Sequence, residues 1–270
     1  MDKQGILSST VEDGIAIATL GSASRIHLDP EMAECLYDTL QAWAKDDTVR
    51  VIVLTGGAPG YFIKHYSVAE IIVVGEMIQK SGVTLREDAE PGFFALDHAI
   101  TLCEAMQKPV IAAISGTCMG GALELSLGCD IRIAEDGPYE IGFPEVQLGI
   151  LPGAGGTQRL PRAIGPAAAL MHILIGEPVS PKEAARLGIV HEAVAGKALA
   201  RAKEVARKLA RLDAPALAYI KRLVRSACEK PLSEGLILER NLFTMLAASD
   251  AALARMRDYE AGRLNFRPDP

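Results

Sequence analysis

The sequence contains no CxxC pair, and its five cysteines (Cys35, Cys103, Cys118, Cys129 and Cys228) are an odd number. A disulfide framework needs paired spacing and a structural zinc site needs close ligand pairs, so the pattern favours buried, reduced thiols. The five histidines (His27, His65, His98, His172, His191) are scattered and no HExxH occurs, so no metal site is expected. P-loop and GxSxG signatures are absent too. The stretch Gly153-Ala154-Gly155-Gly156-Thr157-Gln158 has glutamine where a dinucleotide fingerprint needs its last glycine, and no recognisable strand precedes it. Basic residues are the minority, 28 Lys and Arg against 34 Asp and Glu, for a net charge of −6. That balance excludes a generic nucleic-acid binder, which must neutralise phosphates over a basic face. No apolar run is long enough to span a membrane, and MDKQGILSST has no apolar stretch after its lysine. The expectation is a cytoplasmic protein that binds neither membrane nor nucleic acid.

Across 270 residues, 49% are apolar and 23% charged, enough for a sizeable core in one large domain or a domain with a helical appendage. Short β-prone runs stand at 15–20 (IAIATL), 49–55 (VRVIVLT), 110–115 (VIAAIS) and 131–134 (IRIA). Nearly continuous apolar runs suit strands covered on both faces, as in an α/β core. Asp29-Pro30 reads as an N-cap followed by a first-turn proline, with Met32, Leu36, Leu40 and Trp43 on one helix face. Ser67 with Glu70 three residues on fits a capping box that starts another helix. Residues 80–92 (KSGVTLREDAEPG) are polar, with glycine and proline, and read as a mobile loop. From 198 onward alanine, leucine and basic residues recur at helical period with few strand formers. The expected division is a core carrying the active site over 1–197 and a helical region for oligomer contacts over 198–270.

The chemistry concentrates at a strand, glycine turn and helix: VIAAIS, then Gly116-Thr117-Cys118-Met119-Gly120-Gly121, then a helix through Glu124 that Gly128 stops. The first amides of a helix point outward unpaired, with the positive end of the macrodipole behind them. Gly121 and Glu124, three apart, share one helix face. An amide donor one turn from a carboxylate suits a carbonyl that becomes an enolate while a proton moves nearby. Taken alone, this motif favours reading Glu124 as an ordinary first-turn glutamate. A second glutamate, Glu145, follows a helix-starting proline in Phe143-Pro144-Glu145-Val146-Gln147-Leu148-Gly149.

Residues 108–165, KPVIAAISGTCMGGALELSLGCDIRIAEDGPYEIGFPEVQLGILPGAGGTQRLPRAIG, resemble the signature stretch of the enoyl-CoA hydratase/isomerase (crotonase) superfamily. Weaker similarity runs through 51–57, 181–190 and the helical C-terminus. The resemblance implies an α/β fold, a spiral of ββα units with a C-terminal helical trimerisation region. It implies an acyl-CoA thioester substrate, a homotrimer or dimer of trimers, and no cofactor or metal, coenzyme A being part of the substrate. It implies an oxyanion hole from the backbone N–H groups of Tyr66 and Gly121, with Glu124 and Glu145 as the catalytic pair. Arg25, Ser67, Gly120 and Phe266 are the substrate-binding positions it suggests, with Arg25 toward the coenzyme phosphates and Phe266, like Arg263, toward the adenine. As alternatives, Arg25 is a plain surface arginine, Phe266 caps the last helix and Arg263 is a solvated charge. Retention of both glutamates points to reversible syn hydration of a trans-2-enoyl-CoA to a 3-hydroxyacyl-CoA. The alternative is a Δ3,Δ2-enoyl-CoA isomerase or another enolate reaction, such as decarboxylation or retro-Claisen hydrolysis.

One segment departs from the family. His65-Tyr66-Ser67 stands where members usually have Gly-Ala-Asp. A backbone amide donates whatever side chain it carries, and Ser67 can replace aspartate as a helix cap. Losing glycine at 65 restricts the local backbone. The two polar aromatic side chains are either surface or packing residues or they alter the acyl specificity or the reaction. Cys118 has no histidine placed to activate it and reads as packing.

Overall fold

The apolar runs at 51–54 and 110–114 form strands because both of their faces are covered. In the computed structural model, which describes residues 5–89, 92 and 94–265, Ile52, Leu54, Val110, Ala112 and Ile114 face one apolar cluster. Val51, Val53, Ile111 and Ala113 face a second. The chain divides into two compact units, Met1–Ala210 and Arg211–Pro270.

The first unit runs β1 (Leu7–Glu12), β2 (Ile15–Leu20), α1 (Pro30–Lys45), β3 (Val51–Gly56), β4 (Gly60–Ile63), α2 (Val68–Ser81) and α3 (Ala95–Ala105). It continues with β5 (Val110–Ile114), β6 (Gly116–Met119), α4 (Gly121–Gly128), β7 (Ile131–Glu135), β8 (Ile141–Gly142) and a 3-10 turn over Glu145–Leu148. It closes with α5 (Gly156–Ile164), α6 (Pro166–Ile175), α7 (Pro181–Leu187), β9 (Glu192–Val194) and α8 (Ala198–Ala210). A six-stranded sheet has the order β1-β2-β3-β5-β7-β9, parallel except for the β1–β2 hairpin. A three-stranded parallel sheet has the order β4-β6-β8. Each turn of chain thus gives one strand to the large sheet and the next to the small one, the ββα spiral expected from the sequence.

The α1 reading holds in detail. Asp29 accepts the Met32 N–H at 2.9 Å, and Met32, Leu36, Leu40 and Trp43 are all buried. The glycine turn expected at 116–121 is a strand for its first four residues, β6. Gly116 leaves β5 with φ +156, and a Cβ there would collide with the Gly60 carbonyl, so only glycine lets the chain step between sheets so abruptly. In the stretch read as a loop, α2 reaches Ser81 and ends on Gly82 in a left-handed cap.

The division expected at 197 falls one helix before the boundary of the compact units. Ala198, Ala202 and Ala206 of α8 are buried in the cluster formed with Val51, Val53 and Ile111. Alanine every four residues gives the helix a flat face that approaches the sheet closely, so α8 is core although its composition resembles that of the helices after it. The second unit consists of α9 (Ala214–Ser226), α10 (Leu232–Ala247) and α11 (Asp250–Glu260). Asp213 and Ser249 cap the first and last, accepting the N–H groups of Ala216 at 2.9 Å and Ala252 at 3.3 Å.

Two glycines give opposite expectations. Gly116→Ala should destabilise the protein by at least ~2 kcal/mol, as forced overpacking does. Gly75→Ala, inside α2 where an added methyl meets nothing within 4 Å, should stabilise it by about 0.5–1 kcal/mol. Urea unfolding of the two variants measures both signs.

Candidate active site

The small sheet sets the geometry. Its three strands are parallel, and their carboxyl ends lie side by side, Ile63 pairing with Cys118 and Met119 with Gly142. Tyr66 follows β4 by three residues, Gly121 follows β6 by two and Glu145 follows β8 by three. Three segments far apart in sequence therefore emerge at one edge.

At that edge Gly120 takes φ +53, and Gly121 opens α4. A side chain at Gly120 would sit 2.8 Å from Glu145 Oε1. A Cβ at Gly121 would lie 3.0 Å from the Tyr66 Cβ and 3.7 Å from the Tyr66 backbone nitrogen. The Gly121 N–H belongs to the first turn of a helix and has no intrahelical acceptor. Residues 28 and 66 form a parallel bridge, in which the Leu28 N–H donates to His65 and the Ser67 N–H to Leu28. That pattern turns Tyr66's own N–H away from Leu28. The structure thus brings together the two amides read as an oxyanion pair.

Glu124 is 3% exposed. Its Oε1 accepts the N–H groups of Ala154 and Gly156, both at 2.8 Å. Removing a carboxylate from water costs several kcal/mol, while a charge-assisted hydrogen bond returns about 1.5–3 kcal/mol. Burial prevails and raises the pKa, and the Asp97 charge adds to it; the two amides and the Arg159 charge only moderate the shift. Glu145 opens the 3-10 turn with its carboxyl half-buried. Its Oε2 is buried with no hydrogen-bond partner among the described residues. Burial, helped by the Glu124 charge, pushes its pKa up to about 7. Two carboxyls near one turn, one of them poised at neutrality, can hold and exchange a proton.

The remaining sequence-derived positions divide. Ser67 is the N-cap of α2, accepting the Glu70 N–H at 3.4 Å. Arg25 forks onto Asp29 at 2.9 and 2.7 Å and reaches Glu31 at 2.7 Å. An anionic ligand would have to compete with both carboxylates for it. Phe266 lies outside the described residues, and Arg263 pairs with Asp258 at 2.7 Å. The Tyr66 ring packs against the core, and burial, then the charges of Glu70, Asp29 and Asp97, raises its pKa. Cys118 is fully buried, and burial pushes its thiol well up, in keeping with packing.

Sequence reasoning missed what holds Glu124. The Arg159 guanidinium grips Glu104 with two bonds of 2.8 Å, and its Nη1 donates to the Ala154 carbonyl at 2.8 Å. Arg159 thereby fixes the loop whose amides face Glu124. The only hint in the sequence was an arginine soon after a glycine-rich stretch that was no dinucleotide site.

A family model for enoyl-CoA hydratase/isomerase matches residues 11–266. The chain is 35% identical over 229 residues to the 2,3-dehydroadipyl-CoA hydratase of Escherichia coli K12, covering 84% of each. It is 33% identical over 258 residues to the fatty acid oxidation complex subunit alpha of Shewanella sp. MR-4, spanning 93% of this chain and 33% of that one. The solved enoyl-CoA hydratase of Bacillus anthracis superposes with a TM-score of 0.84 at 28% identity, covering 95% of this chain and 96% of that one. Pseudomonas aeruginosa DspI does so with a TM-score of 0.84, also at 28% identity, covering 99% and 98%. Fold and relatives define an enzyme of the crotonase type. The chain belongs to the enoyl-CoA hydratase/isomerase family. No helix among the described residues is long and apolar enough to cross a membrane.

Glu145 makes stability depend on pH. Its folded-state pKa lies above the ordinary 4.5, at about 7, so the native state holds this proton more tightly than the unfolded chain does. The stabilisation is complete below the ordinary value and is lost as pH rises through the folded one. Glu145→Gln cannot ionise, so its stability relative to the parent should climb between pH 4.5 and 7, which urea melts across that range will read.

Proposed function

We propose that the protein is an enoyl-CoA hydratase that adds water reversibly and syn across the 2,3 double bond of a trans-2-enoyl-CoA, giving a 3-hydroxyacyl-CoA. The observation that carries this reading is the pair of carboxyls at one oxyanion turn, Glu124 on its two amides and Glu145 poised near neutrality. A proton shuttle alone needs one such group; water addition uses two. The hydratase names among the relatives support the same chemistry.

In this mechanism the thioester oxygen accepts the N–H groups of Tyr66 and Gly121. Water sits between the carboxyls, and Glu124 takes one of its protons as the oxygen bonds to the β-carbon. The π electrons move onto the thioester as an enolate, which the two amides stabilise. Glu145 then gives its proton to the α-carbon. Hydroxyl and proton arrive on the same face, and proton exchange between the carboxyls through the next water resets the pair. Every atom is accounted for without a metal or organic cofactor. An oxyanion donor is worth roughly 3–4 kcal/mol and acid–base help about 10²–10⁴-fold. The acyl-CoA is the partner this site would take. The family resemblance suggests a homotrimer or dimer of trimers, an assembly that would cover exposed apolar side chains such as Leu170, Met171 and Leu174 on α6 and Leu236, Ile237 and Phe243 on α10. Sedimentation should give three or six times 28.7 kDa.

The test is a ladder of trans-2-enoyl-CoA thioesters, followed by loss of the conjugated enoyl absorbance. The wild type should hydrate at least part of the ladder. Glu124→Gln and Glu145→Gln should each fold and lose about 10²–10⁴-fold in kcat. An untouched ladder together with conversion of a 3-enoyl-CoA would replace hydration with isomerisation.

A further inference from the structure

The Tyr66 N–H is carried by the peptide bond between His65 and Tyr66, which is held directly through the His65 carbonyl and indirectly through bonds to the next peptide, 66–67. On one side, the Leu28 N–H donates to the His65 carbonyl at 2.9 Å, and the Ser67 N–H donates to the Leu28 carbonyl at 2.7 Å. A trans peptide points its N–H opposite to its C=O, so the Tyr66 N–H is aimed away from Leu28, on the side of Gly121. On the other side, the His65 ring nitrogen Nδ1 lies 2.6 Å from the Tyr66 carbonyl oxygen. A carbonyl only accepts, so Nδ1 carries the hydrogen, which leaves the lone pair of a neutral ring on Nε2.

That bond runs from a side chain to the next residue's carbonyl, so it closes a ring of covalent bonds that contains the 65–66 peptide itself. Swinging the Tyr66 N–H out of line would break it. The His27 ring packs on His65 with centroids 4.5 Å apart and planes tilted by 46°, which restricts rotation of the His65 side chain. His65 also borders the reacting centre, its Cβ lying 3.8 Å from the point a Gly120 side chain would occupy, beside Glu145 Oε1.

We infer that His65 is a positioning residue of the oxyanion pair, holding the Tyr66 N–H in line through its Nδ1–H bond to the Tyr66 carbonyl. The inference rests on the hydratase reading for its kinetic consequence only. A positioned donor acts mainly where charge develops, so its misalignment lowers kcat and leaves binding of the uncharged thioester alone. Outright loss of an oxyanion donor costs about 10²–10³-fold in kcat, and a donor present but misaimed should cost less, about 10–50-fold.

Three variants separate this role from packing. His65→Asn places an amide nitrogen near the Nδ1 position; His65→Gln places it about one bond further out; His65→Ala removes it. The alanine and glutamine variants should lose about 10–50-fold in kcat with KM within about threefold, while asparagine stays within about threefold of the wild type in both. Nitrogen NMR of the wild type should show a protonated Nδ1, and amide exchange at Leu28, whose N–H donates to the His65 carbonyl, should accelerate in His65→Ala and His65→Gln but not in His65→Asn. Unchanged kcat in His65→Ala, an asparagine variant as impaired as alanine, or an unprotonated Nδ1 would each overturn the inference. If the wild type hydrates nothing, the functional reading fails by itself, and the nitrogen and exchange measurements still decide the positioning.

Discussion

A carboxylate buried to 3% exposure is the constraint on which the rest of the site depends. Glu124 is tolerable in the core only because Ala154 and Gly156 turn their N–H groups onto one of its oxygens. Those amides converge because Gly155 between them adopts φ +97, and because a Cβ on Gly156 would press into the Phe143 ring and Pro152. The loop is fixed by Arg159, and Arg159 by Glu104 on α3. One buried charge thus ties together three helices, α3, α4 and α5. The support is incomplete by design of the fold: two amides on Oε1 leave burial dominant, and the raised pKa that results is what a proton-transferring group requires.

The small β4-β6-β8 sheet supplies the other half of the arrangement. Its parallel register delivers an amide, a helix start and a second carboxyl to one edge, and glycine at 120 and 121 removes the side chains that would otherwise hold them apart. In the proposed reaction backbone groups bind the charge that develops while side chains move protons. That separation explains how a tyrosine can stand at an oxyanion position. Its N–H is the donor in the proposed reaction, while its ring is packed against the core.

Much of the frame was legible in the chain. Continuous apolar runs marked β3 and β5, the Asp29-Pro30 cap and its buried stripe marked α1, and the glycine-rich turn before Glu124 marked the chemistry. The hairpin that begins the large sheet was missed, although Asp13-Gly14, both at positive φ, is a strong short-range turn signal. Strands β6 and β8 were missed for a better reason. They have four and two residues and are glycine-bearing, so they exist as strands only by pairing with β4 and with each other. Helix α8 was assigned by its composition to the helical region after it, since an alanine stripe looks the same whether it faces a sheet or another helix.

By itself the sequence determined the main strands and capped helices, the two glutamates and the glycines that must flank them, because caps, apolar periodicity and backbone freedom are local properties. Only the tertiary structure decided what those residues experience. Burial raises Glu145 to about 7, Arg159 reaches across 55 positions to Glu104, and His65 turns its ring onto its neighbour's carbonyl instead of into solvent. Charge, solvation and aim depend on what surrounds a group, and those surroundings come from segments that meet only once the two sheets have formed.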